Sequence, residues 1–158
     1  FPARDLNGAT SGEGLRIGLL TTTANTNAAA IANTTVTYTN SNGVGSKTAT
    51  LTNQTGSNIP ATPVIGTLTW FNLDSGCRGV QSIQSITLGT SLGAGAVSLI
   101  VARPIISASV MVANAGSTSV PPMNPGVRLY TGTTLLHCTQ ATGTAAPTTS
   151  GIVYFQER

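Results

Sequence analysis

Residues 76–104 read Gly-Cys-Arg-Gly-Val-Gln-Ser-Ile-Gln-Ser-Ile-Thr-Leu-Gly, then Thr-Ser-Leu-Gly-Ala-Gly-Ala-Val-Ser-Leu-Ile-Val-Ala-Arg-Pro. Val80, Ile83, Ile86 and Leu88 put β-branched and apolar side chains into one extended run. Val97, Leu99 and Val101 alternate with smaller neighbours at the two-residue period of a half-buried strand. Gly89, Gly93 and Gly95 supply a flexible turn between the runs, and Pro104, having no N–H, closes the second. The stretch therefore predicts a long β-hairpin at the centre of the fold. Ile83 falls out of parity with Val80, Ile86 and Leu88, which predicts either partial burial of both faces or a bulge between Ile83 and Ile86.

The same two-residue period recurs on both sides of this stretch. Residues 15–21 form a strand candidate, and residues 22–33 contain the helix-favouring Ala28, Ala29 and Ala30 among Thr and Asn, leaving a short helical turn open. In residues 34–39 Val36 and Tyr38 alternate with threonines. Asn40-Ser-Asn-Gly-Val-Gly45 then reads as a turn, and Lys47, Ala49 and Leu51 return as the partner strand. Residues 53–63 hold Gly56, Pro60 and Pro63 and read as a loop. In residues 64–73 Leu68 and Trp70 share one face, with Thr67, Thr69 and Phe71 on the other, so this strand is expected to be covered on both sides. Further strands are expected at 105–112, 128–138 and 151–156, separated by a proline-containing loop at 113–126 and a Thr- and Ala-rich one at 139–150. About nine short strands with scarcely any helical period predict an all-β fold, an antiparallel β-sandwich or barrel of jelly-roll type. Residues 1–14, rich in glycine, read as an irregular amino-terminal arm, and residues 15–158 as one domain.

Charged residues make up 7% of the 158 residues, against about 25% in ordinary soluble domains. A surface so poor in charge has little to oppose association, which predicts a homo-oligomer, a trimer being the expected form. The net charge is +3, but Arg4, Arg16, Lys47, Arg78, Arg103, Arg128 and Arg158 are scattered singly. No basic stripe forms, so direct nucleic-acid binding is not expected. No apolar run has the length of a membrane-spanning helix and the amino end lacks a signal-peptide layout, which predicts a soluble chain without a membrane partner.

Residues suited to catalysis are few. Asp5, Glu13, Asp74 and Glu157 are too dispersed for a carboxylate pair. His137 and Cys138 are adjacent, which on a strand sends them to opposite faces and prevents proton sharing. Ligands for a structural zinc are lacking. Gly12-Glu-Gly-Leu-Arg-Ile-Gly18 misses the dinucleotide-binding spacing and precedes a strand. No catalytic, cofactor-binding or metal residue is therefore expected, and no cofactor. Cys77 and Cys138 read as two reduced structural thiols, the alternative being a disulfide closing a loop of about 60 residues. Asp74 and Arg78 could close their turn as an ion pair. Arg78 and Arg103 are equally candidates for a subunit interface, where arginine is enriched, and Trp70 and Phe71 join them as large side chains on a doubly covered strand.

Three stretches carry a resemblance. Val36-Thr-Tyr-Thr-Asn-Ser-Asn-Gly-Val-Gly-Ser-Lys-Thr-Ala-Thr50, Gly79-Val-Gln-Ser-Ile-Gln-Ser-Ile-Thr-Leu-Gly89 and Val97-Ser-Leu-Ile-Val-Ala-Arg-Pro104 resemble, in this order, segments of small virion structural proteins of tailed bacteriophages. The likeness covers roughly the middle half of the chain; the arm and the loop at 121–125 depart from it. It implies a non-enzymatic capsid decoration (cement) protein, made in the host cytoplasm and placed on the capsid surface of the virion. Its partners would be the major capsid protein or other virion subunits. The alternative is a receptor- or carbohydrate-binding β-sandwich module of a phage tail or fibre. Such a module wants exposed aromatic side chains, whereas all the aromatic residues but Phe1, namely Tyr38, Trp70, Phe71, Tyr130, Tyr154 and Phe155, fall on predicted strands.

Overall fold

The computed structural model describes residues 5, 7–24, 26, 33–51 and 65–104. These form one six-stranded sheet, antiparallel throughout and strongly curled into a half-barrel, with no helix among the described residues. The strands are β1 (Arg16–Thr23), β2 (Thr35–Asn40), β3 (Lys47–Leu51), β4 (Leu68–Asn72), β5 (Val80–Thr87) and β6 (Ala96–Ala102). Their order across the sheet is β5-β2-β3-β4-β1-β6. The strands expected at 105–112, 128–138 and 151–156, the proline loop, His137 and Cys138 lie outside the described residues. So do residues 1–4 and most of the stretch in which a helical turn was left open.

Alternation explains the inner face. Along β2 Val36, Tyr38 and Asn40 are buried while the threonines between them are half-buried, and on β1 Ile17, Leu19 and Thr21 are buried at the same period. Ala49, Leu51, Phe71 and Val80 complete a single core cluster. Its members come from β5 at one end of the strand order and β1 near the other. In a flat sheet those two strands would stand about 19 Å apart at ordinary strand spacing. One shared cluster therefore requires the curl.

The β2–β3 hairpin forms as its sequence predicts, with Val36 opposite Ala49 and Tyr38 opposite Lys47. The connection is longer than a two-residue turn, and the Asn40 side chain organises it. Asn40 is buried, and its Oδ1 accepts the N–H groups of Asn42 at 3.0 Å and Val44 at 2.9 Å. Asparagine suits this position because its short carbonyl side chain imitates a backbone turn.

The hairpin expected over residues 76–104 does not pair with itself. β5 bonds β2 and β6 bonds β1, so the two strands lie at opposite edges of the sheet rather than at its centre. The connection at 88–95 is long and glycine-rich, and its hydrogen-bonded turn at Leu92–Gly95 is not a tight two-residue hairpin loop that would lock a register. The bulge between Ile83 and Ile86 is present: Val36 faces Ile86 and Thr37 faces Ser85, but Tyr38 faces Ile83, leaving Gln84 as the extra residue. A second shift between Thr39 and Asn40 returns Val80 to the inner face. Bulges strengthen the local twist, in keeping with the curl.

On β6, Leu99 faces Leu19 and Val97 faces Thr21, so both point inward; both are only half-buried against the core. Leu99→Ala should accordingly cost about 1–2 kcal/mol rather than the 2–5 of a fully buried leucine. The midpoint of urea unfolding measures this, and a loss below about half a kcal/mol would place Leu99 outside the packed face.

Candidate functional site

β4 is covered on both faces, as its sequence suggested. Phe71, opposite Leu51, belongs to the inner core. Leu68 and Trp70 point outward, where Trp70 sits opposite Gly18 and Leu68 opposite Leu20. A Cβ added at Gly18 would meet the Leu68 Cδ1 at 2.6 Å, the Ile100 Cγ1 at 3.2 Å and the Trp70 Cε3 at 3.3 Å. The glycine thus lets a second, smaller apolar cluster settle on the outer face of β1, β4 and β6. Leu68 is buried in it, while Leu20, Trp70 and Ile100 are half-buried. β4, β5 and β6 carry no charged residue. At the β5 edge Ile86 and the following Leu88 are exposed.

Of the four interface candidates, Trp70 alone lies in this outer cluster. Phe71 is 2% exposed and serves the core. Arg78 is exposed in the turn before β5, and Arg103 is half-buried just past β6. Both arginines meet the loop that leads into β1: the Arg78 carbonyl accepts the Gly14 N–H at 3.0 Å, and Arg103 Nη1 donates to the Asp5 carbonyl at 3.5 Å.

The ion partner of Asp74 is Lys47, at 3.0 Å, not the Arg78 expected from proximity in sequence. The reason is geometric. Lys47 stands opposite Tyr38, and the Tyr38 hydroxyl accepts the Asp74 N–H at 3.0 Å, which brings Asp74 alongside the lysine. The same hydroxyl bonds the sulfur of Cys77, a free and half-buried thiol that also accepts from Asn40 Nδ2 at 3.4 Å. Burial first, then the bond to Cys77, pushes the Tyr38 phenol up. Bonding to Asp74 pushes Lys47 up, and bonding to Lys47 pulls Asp74 down. Each shift moves its group away from neutral pH. Tyr38, Lys47 and Asp74 hold fixed protonation states and tie the turn to the core, unlike an acid–base pair poised near neutrality.

A feature that sequence reading missed is the Asp5 loop. Asp5 is 1% exposed. Its Oδ1 accepts the N–H groups of Asn7 at 2.9 Å and Ala9 at 2.7 Å, and its Oδ2 accepts the Ser11 hydroxyl at 2.7 Å and the Gly12 N–H at 3.1 Å. Burial pushes the carboxyl up, but the four donors outweigh it and hold the group below the ordinary aspartate range. The available signal was an aspartate followed by Asn, Ser and closely spaced glycines, residue types that accommodate a loop folded around a carboxylate.

Among the described residues no three His, Cys, Asp or Glu side chains gather as a metal site, and no helix is long and apolar enough to cross a membrane. The chain matches no protein-family model, no curated protein and no solved structure.

Proposed function

We propose that this chain is a non-enzymatic virion structural protein of a tailed bacteriophage, a capsid decoration protein that binds the head through protein contacts. The observation that carries the reading is the outer cluster around Gly18. Trp70 and Ile100 present apolar surface there, on β4 and β6, which carry no charge, with exposed Arg16 of β1 on the same face beside them. Apolar surface centred on a tryptophan and flanked by an arginine has the composition of an interface core. The resemblance of residues 36–50, 79–89 and 97–104 to phage structural proteins points the same way. A sugar-binding platform would want exposed aromatic rings; among the described residues Tyr38 and Phe71 are buried and Trp70 half-buried. The partners are the major capsid protein or other virion subunits, and the protein itself associates as a trimer on the capsid surface. Trp70, Arg78 and Arg103 are the contact candidates, with Phe71 supporting them from the core side of β4.

Particles with and without the protein distinguish the two readings. Decorated heads should release their genome at a higher temperature, because a subunit that binds only the assembled lattice stabilises it by mass action. Trp70→Ala should weaken attachment by about 2 kcal/mol, roughly 30-fold in affinity. Electron microscopy that places the protein only at a tail tip, with unchanged head stability, would reject decoration in favour of receptor binding.

A further inference from the structure

The two edge strands of the half-barrel are tied at both ends. At one end the chain itself joins β5 to β6 through residues 88–95. At the other, the segment containing Asp5, Gly12 and Gly14 does so without a covalent link. Its Gly12 carbonyl accepts the Val80 N–H at 3.0 Å, Glu13 bridges Gly79, and Gly14 N–H donates to Arg78. These contacts hold the start of β5. The Arg103 guanidinium donates to the Asp5 carbonyl, which holds the end of β6, and the segment then runs into β1, the partner of β6.

What shapes the segment is the Asp5 carboxylate. All four of its donors lie within residues 7–12, and Gly12, one of them, is also the residue that grips Val80. We infer that the Asp5 loop is an acid-sensitive strap: protonation of Asp5 undoes it and frees the edges of the curled sheet at that end. A protonated carboxyl places an O–H where the loop supplies another donor, and it is a weaker acceptor for the rest. Among the described residues, the other charged group on the strap is Glu13, which accepts from Asn7 Nδ2 at 2.8 Å; on the strand ends it ties, Arg78 meets it through its backbone carbonyl and Arg103 through its guanidinium.

The sign follows from the lowered carboxyl. Strap closure is complete above the ordinary aspartate value of 3.8 and is lost as pH falls through the lower folded value. Amide hydrogen exchange on the full chain, corrected for the intrinsic pH dependence of exchange, reads the opening. Protection of the Gly12, Gly14 and Val80 amides should drop at least about tenfold across that step while the β2–β3 ladder keeps its own. The drop should coincide with the NMR titration of the Asp5 carboxyl carbon. D5N should show weak strap protection already at neutral pH and no acid step, whereas E13Q and D74N should retain the step. A step that survives in D5N, disappears in E13Q or D74N, or removes β2–β3 protection at the same pH overturns the inference. Should D5N not fold, an Asp5 titration that occurs without loss of strap protection overturns it in the wild-type chain.

Discussion

Gly12→Ala is expected to destabilise the chain by at least about 4 kcal/mol, in the range reserved for a few severe mechanisms. Two of them act together here. Gly12 has φ of 79°, a conformation that an L side chain resists, at roughly 1–3 kcal/mol. An added Cβ would also overlap the carbonyl group of Val80 and stand 3.0 Å from the Gln81 nitrogen. These are backbone atoms, so no rotamer change relieves the overlap and the start of β5 must move. That movement breaks the bond from the Val80 N–H to the Gly12 carbonyl and disturbs the one from Gly14 N–H to Arg78. Gly76→Ala is the matched control: its φ is 77°, but nothing lies within 4 Å of the added Cβ. It should cost about 1 kcal/mol from backbone conformation alone. Urea unfolding of both variants measures the difference, and equal losses would show that the crossing of Gly12 over β5 is not tightly packed.

The second large effect is expected at Phe71. Truncation to alanine removes a ring that is 2% exposed and packed in the cluster of Ile17, Leu19, Val36, Tyr38 and Leu51. The loss of transfer energy together with the cavity left behind should amount to about 3–5 kcal/mol. Trp70→Ala, one residue away on the opposite face and half-buried, should cost the isolated chain about 1–2 kcal/mol, although it removes the larger side chain. The two variants thus separate the faces of β4. Phe71→Ala acts on the folding of the free protein, and Trp70→Ala chiefly on attachment. A greater loss of unfolding free energy in Trp70→Ala than in Phe71→Ala would reverse the assignment of inner and outer face.

Among the described residues, the all-β character, the alternation of β2 and β3 and the β2–β3 hairpin were legible in the sequence. Each of these depends on local patterns: the alternation of Val36 and Tyr38 with threonines, the turn-forming Asn40 and Gly43, and the break in parity at Ile83 that marks a bulge. The apolar character of both faces of β4 was legible too, because Trp70 and Phe71 put aromatic rings at opposite parities of one short strand. Among the candidate contacts, Phe71 and Trp70 were recognisable as important by size, but only the pairing of Leu51 with Phe71 and Gly18 with Trp70 separates core from outer face.

Tertiary structure decided the neighbours. A two-residue period says which face of a strand is apolar and nothing about which strand lies beside it, since backbone N–H and C=O groups are the same in every partner. Residues 80–87 and 96–102 therefore look like one hairpin, yet Ile83 and Ile86 bond alongside Tyr38 and Val36, while Val97 and Leu99 bond alongside Thr21 and Leu19. The Asp74 partner and the Asp5 strap were decided in the same way. Lys47 reaches Asp74 because β2 pairs with β3 and the Tyr38 hydroxyl holds the turn. Asp5 stays ionised in a buried loop because four donors converge on it. Electrostatic and hydrogen-bond partners far apart in the chain are set by distance in space, which alternation along a strand does not encode.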